Sequence, residues 1–334
     1  MPSAGILILI PVVVLALIFD FVNGFHDTAN AIATSVSTKA LSPRWAIFIA
    51  AAGDLIGALF LGTSVAKTVG KGILDPHAAT PLVITAALVA AIAWNLITWY
   101  FGIPSSSSHA LIGGLSGAAI GALGMSSIHW SGFTGIILGL IISPILGLAI
   151  GSVVMTILFW LVRKSSPAKI NNNFRLAQVF SACAIALSHG MNDAQKSMGV
   201  ITMVLFGAGI IGTFEVPWEV KVACAAAMAF GTMTGGWRII KTMGGKIFKI
   251  EPINGFASDL TSSMVIFGAS LLGQPVSTTH VVSSAIMGVG AAKRLKGVRW
   301  GIAQQIVTAW VVTIPTSGLV AALVYKGLAV VINT

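Results

Sequence analysis

From residue 76 through residue 162 the chain carries no Asp, Glu, Lys or Arg, and the same is true of 260–292 and 300–325. Segments of that length without a charge cannot face water, since a soluble domain makes about a quarter of its residues charged. Here charged residues are 8% of the 334 and hydrophobic ones 56%. Crossing a hydrocarbon core takes roughly 20 helical residues. No segment alternates with strand period for long enough to build a barrel. The chain reads as an all-α polytopic membrane protein. Spans are expected at 5–38, 45–66, 78–102, 104–125 and 133–162, then at 174–205, 219–240, 255–273, 275–292 and 300–326. The short connections between them leave no room for a soluble catalytic domain.

The first and sixth spans contain Gly, Asp and Asn and are expected to be broken helices. Met1 to Ile18 is apolar without a basic leader, which favours a first span over a cleaved signal peptide. Cys183 and Cys224 lie in apolar stretches without metal-ligand spacing and read as buried small residues. The net charge of +10 would suggest nucleic acid in a soluble protein; in a membrane protein it reports cytoplasmic loops, so no nucleic-acid partner is expected.

Three motifs occur twice, in the same order. Gly24-Phe25-His26-Asp27 matches Gly190-Met191-Asn192-Asp193, and Lys67-Thr68-Val69-Gly70 matches Lys241-Thr242-Met243-Gly244. Pro104-Ser105-Ser106-Ser107-Ser108-His109 matches Pro275-Val276-Ser277-Thr278-Thr279-His280. The chain is therefore expected to be a first transmembrane repeat (1–163), a polar linker (164–173) and a second repeat (174–334). Most of the 19 basic residues lie in loops 39–44, 163–175, 238–249 and 293–299, which the positive-inside rule assigns to the cytoplasm. Loops 126–132 and 206–219 hold no Lys or Arg and fall outside. Each half then has an odd number of crossings, about five, and the second is inverted relative to the first. Both termini are expected outside and linker 164–173 inside. Inverted repeats with broken helices or hairpins at the centre are the architecture of secondary transporters, whose sites lie near mid-membrane. Whether 104–125 and 275–292 cross or turn back as hairpins stays open at this stage.

A carboxylate within a bilayer costs at least about 2.5–3.5 kcal/mol and is usually partnered or functional. Asp27 and Asp193 could be buried anchors. Two symmetric copies flanked by His26, Asn30, Asn192 and Lys196 are more than anchoring needs. They point to cation or proton coupling, with Asp27 and Asp193 as sodium ligands if the cation is sodium. The hydroxyl clusters, Ser105, Ser106, Ser107 and Ser108 in one half and Ser277, Thr278 and Thr279 in the other, follow prolines that favour a helix start. Free amides and the helix dipole make such a start an anion cradle. One cluster alone would read as hydroxyls bonding back to their own helix. Two at symmetric positions favour oxyanion binding, with Asn30 and Lys196 as further contacts. His109 and His280 could orient hydroxyls, carry a coupling proton or touch the ligand. The Lys-Thr-x-Gly repeats read as packing or capping, and Asp20, Asp54 and Asp259 as partnered structural groups or access-path residues.

At these motifs the chain resembles the inorganic phosphate transporter (PiT) family, whose members carry Gly-x-Asn/His-Asp-x-Ala-Asn in each half. Gly24-Phe25-His26-Asp27-Thr28-Ala29-Asn30 matches throughout, and Gly190-Met191-Asn192-Asp193-Ala194-Gln195-Lys196 matches in its bacterial form. The likeness covers nearly the whole chain. It implies a cation-coupled importer of inorganic phosphate in the plasma membrane. The implied partners are phosphate, co-transported H+ or Na+ and the bilayer, with no further cofactor and a homo-oligomer left open. Sodium-coupled relatives tend to have Asn-Asp in both halves and a terminal Asn; here His26 and Lys196 depart from that pattern. Lys196 as a tethered positive charge fits proton coupling, with a neutral metal–phosphate complex as another form of cargo. Sodium stays open.

Other readings compete. Hydroxyl and amide donors suit sulfate or arsenate as well as phosphate. Gly114-Leu115-Ser116-Gly117 fits the short pattern of intramembrane serine hydrolases, but Ala285-Ile286-Met287-Gly288 in the other half lacks the serine. A passive channel is disfavoured because paired acidic motifs would hold ions too strongly.

Overall fold

The computed structural model describes residues 2–333, and the side chains of 9–331 apart from Pro76. Among these residues no strand forms beyond a single bridge between Leu74 and Ile128. The helices are α1 (Pro2–Ser37), α2 (Pro43–Phe60), α3 (Ser64–Gly72), α4 (Pro81–Phe101), α5 (Ser107–Leu123) and α6 (Trp130–Val162). They continue with α7 (Pro167–Gly207), α8 (Trp218–Thr234), α9 (Trp237–Lys241), α10 (Pro252–Leu271), α11 (Thr278–Lys293) and α12 (Trp300–Asn333). A π turn, Thr242–Lys246, extends α9. Proline opens α2, α4, α7 and α10, where its missing N–H costs no helical bond. By length and apolarity α1, α2, α4, α6 and α12 are able to cross a bilayer. Outer faces of α6 and α12 present Leu138, Ile145, Val311 and Leu319, which suits contact with lipid.

At the centre α1 and α7 run antiparallel. Thr38 at one end donates to Gln178 Oε1 (2.7 Å), while Asp20 lies beside Ser197 towards the other. Across α1 packs α8, and across α7 packs α2. The two motif glycines mark those crossings: a Cβ on Gly24 would strike the Met228 carbonyl, and one on Gly190 would strike the backbone of Asp54. Gly190→Val is therefore expected to lower stability by about 1–3 kcal/mol through overpacking. Thermal unfolding of the purified variant checks this, and an unchanged midpoint would contradict so close a crossing.

The two main apolar bodies of the core lie on either side of a polar belt made by the middles of α1 and α7. Into that belt project two hairpins. Both ends of the α4–α5 hairpin meet at one face, where Asp75 N–H donates to Ser127 O (2.9 Å) and His129 N–H to Ile73 O (3.1 Å). The ends of α10–α11 are joined likewise by Arg299 N–H and Ile247 O (2.9 Å). Their tips, 102–106 and 272–277, reach the buried centre. Segments 104–125 and 275–292 are thus the returning arms of two hairpins whose tips lie buried beside α1 and α7. In each, the second arm is clasped by the last helix of the other half, α5 by α12 and α11 by α6.

Two expectations need correction. Neither α1 nor α7 is broken; the breaks fall at Leu61–Thr63 and Gly235–Gly236, splitting 45–66 and 219–240. Several polar residues in α1 and α7, among them Asn30, Thr34, Thr38 and Asn192, bond to side chains on neighbouring elements, and the backbone keeps its own bonds. At the true breaks Gly62 (φ 103) and Gly235 (φ 72) adopt the left-handed region instead. Most of the 164–173 segment is also helical, because Pro167 starts α7.

Candidate functional site

On α1 the spacing i, i+3, i+4, i+7 puts Asn23, His26, Asp27 and Asn30 on one face, and α7 repeats it with His189, Asn192, Asp193 and Lys196. All eight are buried. Because the helices run antiparallel, the two sets meet face to face in the polar belt, with the hairpin tips beside them.

Asp27 gathers donors from three elements. His26 Nδ1 lies 2.6 Å from its Oδ1, Thr279 donates to the same oxygen (3.2 Å), and Ser107 donates to Oδ2 (3.4 Å). On Asp193, Lys196 Nζ donates to Oδ1 (2.6 Å) and Thr278 to Oδ2 (3.1 Å). Asn30 Nδ2 donates to Thr278 and Thr279 hydroxyls at 3.2 and 3.0 Å. Lys196 Nζ also donates to Ser108 Oγ and to the Val276 carbonyl (3.1 Å), so one ammonium ties α7 to both tips. An ammonium among a carboxylate, a hydroxyl and a carbonyl oxygen occupies the kind of oxygen shell that a hard cation takes.

The remaining residues divide. Ser105 donates to Thr98 Oγ1 (2.7 Å), which lies 3.1 Å from His26 Nε2, and so supports His26 rather than the carboxylates directly. Ser106 and Ser277 act as helix N-caps, accepting from the backbone N–H of His109 (3.1 Å) and His280 (3.2 Å). Asn192 braces the second tip, donating to Ser270 Oγ (2.7 Å) and accepting from Val276 N–H (3.4 Å). His109 and His280 are not brought to the carboxylates. Their rings pack at 4.4 Å, His280 stacks on Trp310 at 4.0 Å, and both line an apolar cavity of about 940 Å³ between α6, α11 and α12. In the Lys-Thr-x-Gly pair, Thr242 donates to the Gly102 carbonyl (2.9 Å), a packing contact.

His189 is the residue that motif matching underrated. It lies between Asp54 Oδ1 (2.8 Å from Nδ1) and Asp193 Oδ2 (3.6 Å from Nε2). Asp27, His189 and Asp193 each offer a ligand atom within 4.8 Å of the others. The i, i+4 spacing of His189 and Asp193 was the available signal. Asp54, held also by Thr232 (2.7 Å), and Thr98 arrive only through tertiary packing. Asp259 accepts from Thr34 (2.6 Å) and Ser181 (3.4 Å). Ser116 donates to carbonyls of its own helix, Ile112 (2.8 Å) and Gly113 (3.1 Å), which leaves no hydrolytic dyad there.

Residues 23–321 match the family model described as the phosphate transporter family. A "probable low-affinity inorganic phosphate transporter" of Bacillus subtilis (strain 168) is 52% identical over 96% of this chain and 97% of its own length. One of the same description from Rhizobium meliloti (strain 1021) is 49% identical, over 95% and 96%. Among solved structures, "the sodium-dependent phosphate transporter" superposes with a TM-score of 0.86 at 28% identity, covering 97% of this chain and 99% of that one.

Proposed function

Since the chain belongs to the phosphate transporter family, and is a membrane transporter rather than an enzyme, we propose that it imports inorganic phosphate by proton symport through the polar belt. Phosphate is held between the hairpin tips by Ser107, Ser108, Thr278 and Thr279, with Asn30 and Lys196, in place of the hydroxyl–carboxylate bonds those side chains now make. Asp27 and Asp193 carry the coupling charge. We read 1–163 and 174–334 as inverted repeats, with the basic loops in the cytoplasm and both termini outside. The antiparallel α1 and α7 and their matching residue faces support that reading.

The need for coupling follows from electrostatics. An anion 4 Å from a carboxylate, at an effective dielectric of 20, is repelled by about 4 kcal/mol. Two carboxylates make phosphate entry unfavourable unless positive charge enters too. Each net positive charge carried inward then gains about 2.3 kcal/mol per 100 mV of membrane potential. One observation carries the choice of proton: Lys196 Nζ already sits where a bound cation would neutralise Asp193. Sodium coupling, as in the sodium-dependent phosphate transporter of the solved structure, would need that position. The Asp27–His189–Asp193 trio favours one addition, a divalent metal–phosphate complex as a second form of cargo.

Proteoliposomes with an inward pH gradient and no sodium are expected to accumulate labelled phosphate, to lose it on adding a protonophore, and to ignore excess sulfate. Accumulation only with sodium would overturn proton coupling, and competition by sulfate would overturn the choice of anion.

A further inference from the structure

A carboxylate outside the site just described has no explanation in it. Asp20 lies on α1 fully buried, and neither of its carboxylate oxygens receives a well-formed hydrogen bond; the Ser197 hydroxyl and the Cys224 thiol are the donors beside it. With Asn23 and Asp27 it forms the series i, i+3, i+7, so it stands on the same stripe of α1 as the site, two turns away. The buried amide of Asn23 is without a partner, and the buried Ser197 hydroxyl has no acceptor other than Asp20. Two helices carry the groups that face Asp20. Across from it on α7 are Asp193, Lys196 and Ser197, and on α8 the Cys224 thiol. The adjacent α4 carries no Asp, Glu, His, Lys or Arg, and Asp54 on α2 is already paired with His189.

An ionised carboxylate in such a place, with only a hydroxyl and a thiol beside it and the Lys196 ammonium already paired with Asp193, is a costly arrangement for a membrane protein to hold. Two ligands could relieve it. A hard metal cation wants a shell of oxygens, and the thiol of Cys224 is a poor member of one. A proton needs only the carboxylate itself, with Asn23 and Ser197 free to accept the O–H.

We infer that Asp20 is a proton-binding site of the transport cycle, separate from the aspartates at the hairpin tips and placed on the path between them and the face at which α1 begins. Asp20 takes one proton from water and returns one proton to water, with no other bond made or broken. When it is neutral, the negative charge beside Asp193 falls and the polar belt accepts the anion; when it is ionised, the anion is expelled. This rests on the proton-symport reading above.

The test is labelled-phosphate accumulation in proteoliposomes under a pH gradient, for wild type, Asp20→Asn and Asp20→Glu, each checked for a cooperative thermal unfolding transition. Asp20→Asn is expected to accumulate at least tenfold less phosphate. Asp20→Glu is expected to retain accumulation with a displaced midpoint in its pH profile. If Asp20→Asn does not fold, Asp20→Glu decides alone, and an undisplaced midpoint overturns the inference. Accumulation by Asp20→Asn equal to wild type also overturns it. Wild type that ignores the pH gradient would instead fail the coupling reading, a result visible before any variant is compared.

Discussion

Lys196→Ala is expected to weaken phosphate binding by at least about 100-fold in sodium-free buffer, and to make the remaining transport respond to sodium. The side chain is 1% exposed and donates to Asp193, Ser108 and the Val276 carbonyl. Breaking a buried ion pair from one side leaves the other charge uncompensated, at a cost of about 3–5 kcal/mol, and each 1.4 kcal/mol is a factor of ten. What the truncation leaves behind is a carboxylate, a hydroxyl and a carbonyl oxygen around a space the size of the lost ammonium. That is a set of hard oxygen ligands. Sodium added to the variant should therefore restore phosphate binding at least tenfold, while leaving wild type unaffected. Calorimetric titration of phosphate with and without sodium measures both effects. A variant that binds phosphate as wild type does would remove Lys196 from the site. One that is weakened but indifferent to sodium would leave Lys196 in the site and refute its role as a stand-in for a metal ion.

Asp27→Asn and Asp193→Asn are each expected to reduce uptake at least about 100-fold with the fold retained. Asp27 accepts from His26, Thr279 and Ser107, and Asp193 from Lys196 and Thr278. Hydrogen bonds to a charged group contribute about 1.5–3 kcal/mol each, and the amide keeps only part of them. Its NH2 would also meet donors that have no acceptor to spare. The helices themselves do not depend on these charges, since the two apolar bodies of the core lie outside the belt. Initial rates of labelled uptake, normalised to folded protein, check the prediction. Wild-type rates in both variants would place coupling elsewhere.

Hydropathy was enough to read the helical membrane fold, because long charge-free runs admit no other solution. The repeated Asp motifs were legible for a related reason: a carboxylate at that depth must be used or neutralised, and its spacing on a helix fixes which neighbours share its face. What escaped was tertiary. Gly, Asp and Asn in α1 and α7 suggested breaks, yet cross-helix partners such as Asn30 with Thr278 and Thr279 let both helices run through. His109 and His280, symmetric in sequence, turn towards each other and Trp310 because Ser106 and Ser277 are spent as caps while the next hydroxyls face the aspartates. Asp54 enters through the α2–α7 crossing at Gly190, which no local pattern announces.

If the anion binds in the compartment of the two aspartates, arsenate, a tetrahedral analogue with a strong anomalous signal, should be seen there. In crystals grown with arsenate, an arsenic peak is expected between the hairpin tips, within hydrogen-bond reach of Ser107 or Ser108 and of Thr278 or Thr279, with Lys196 beside it. A peak in the cavity lined by His109 and His280, or at any point not bordered by both tips, would contradict it.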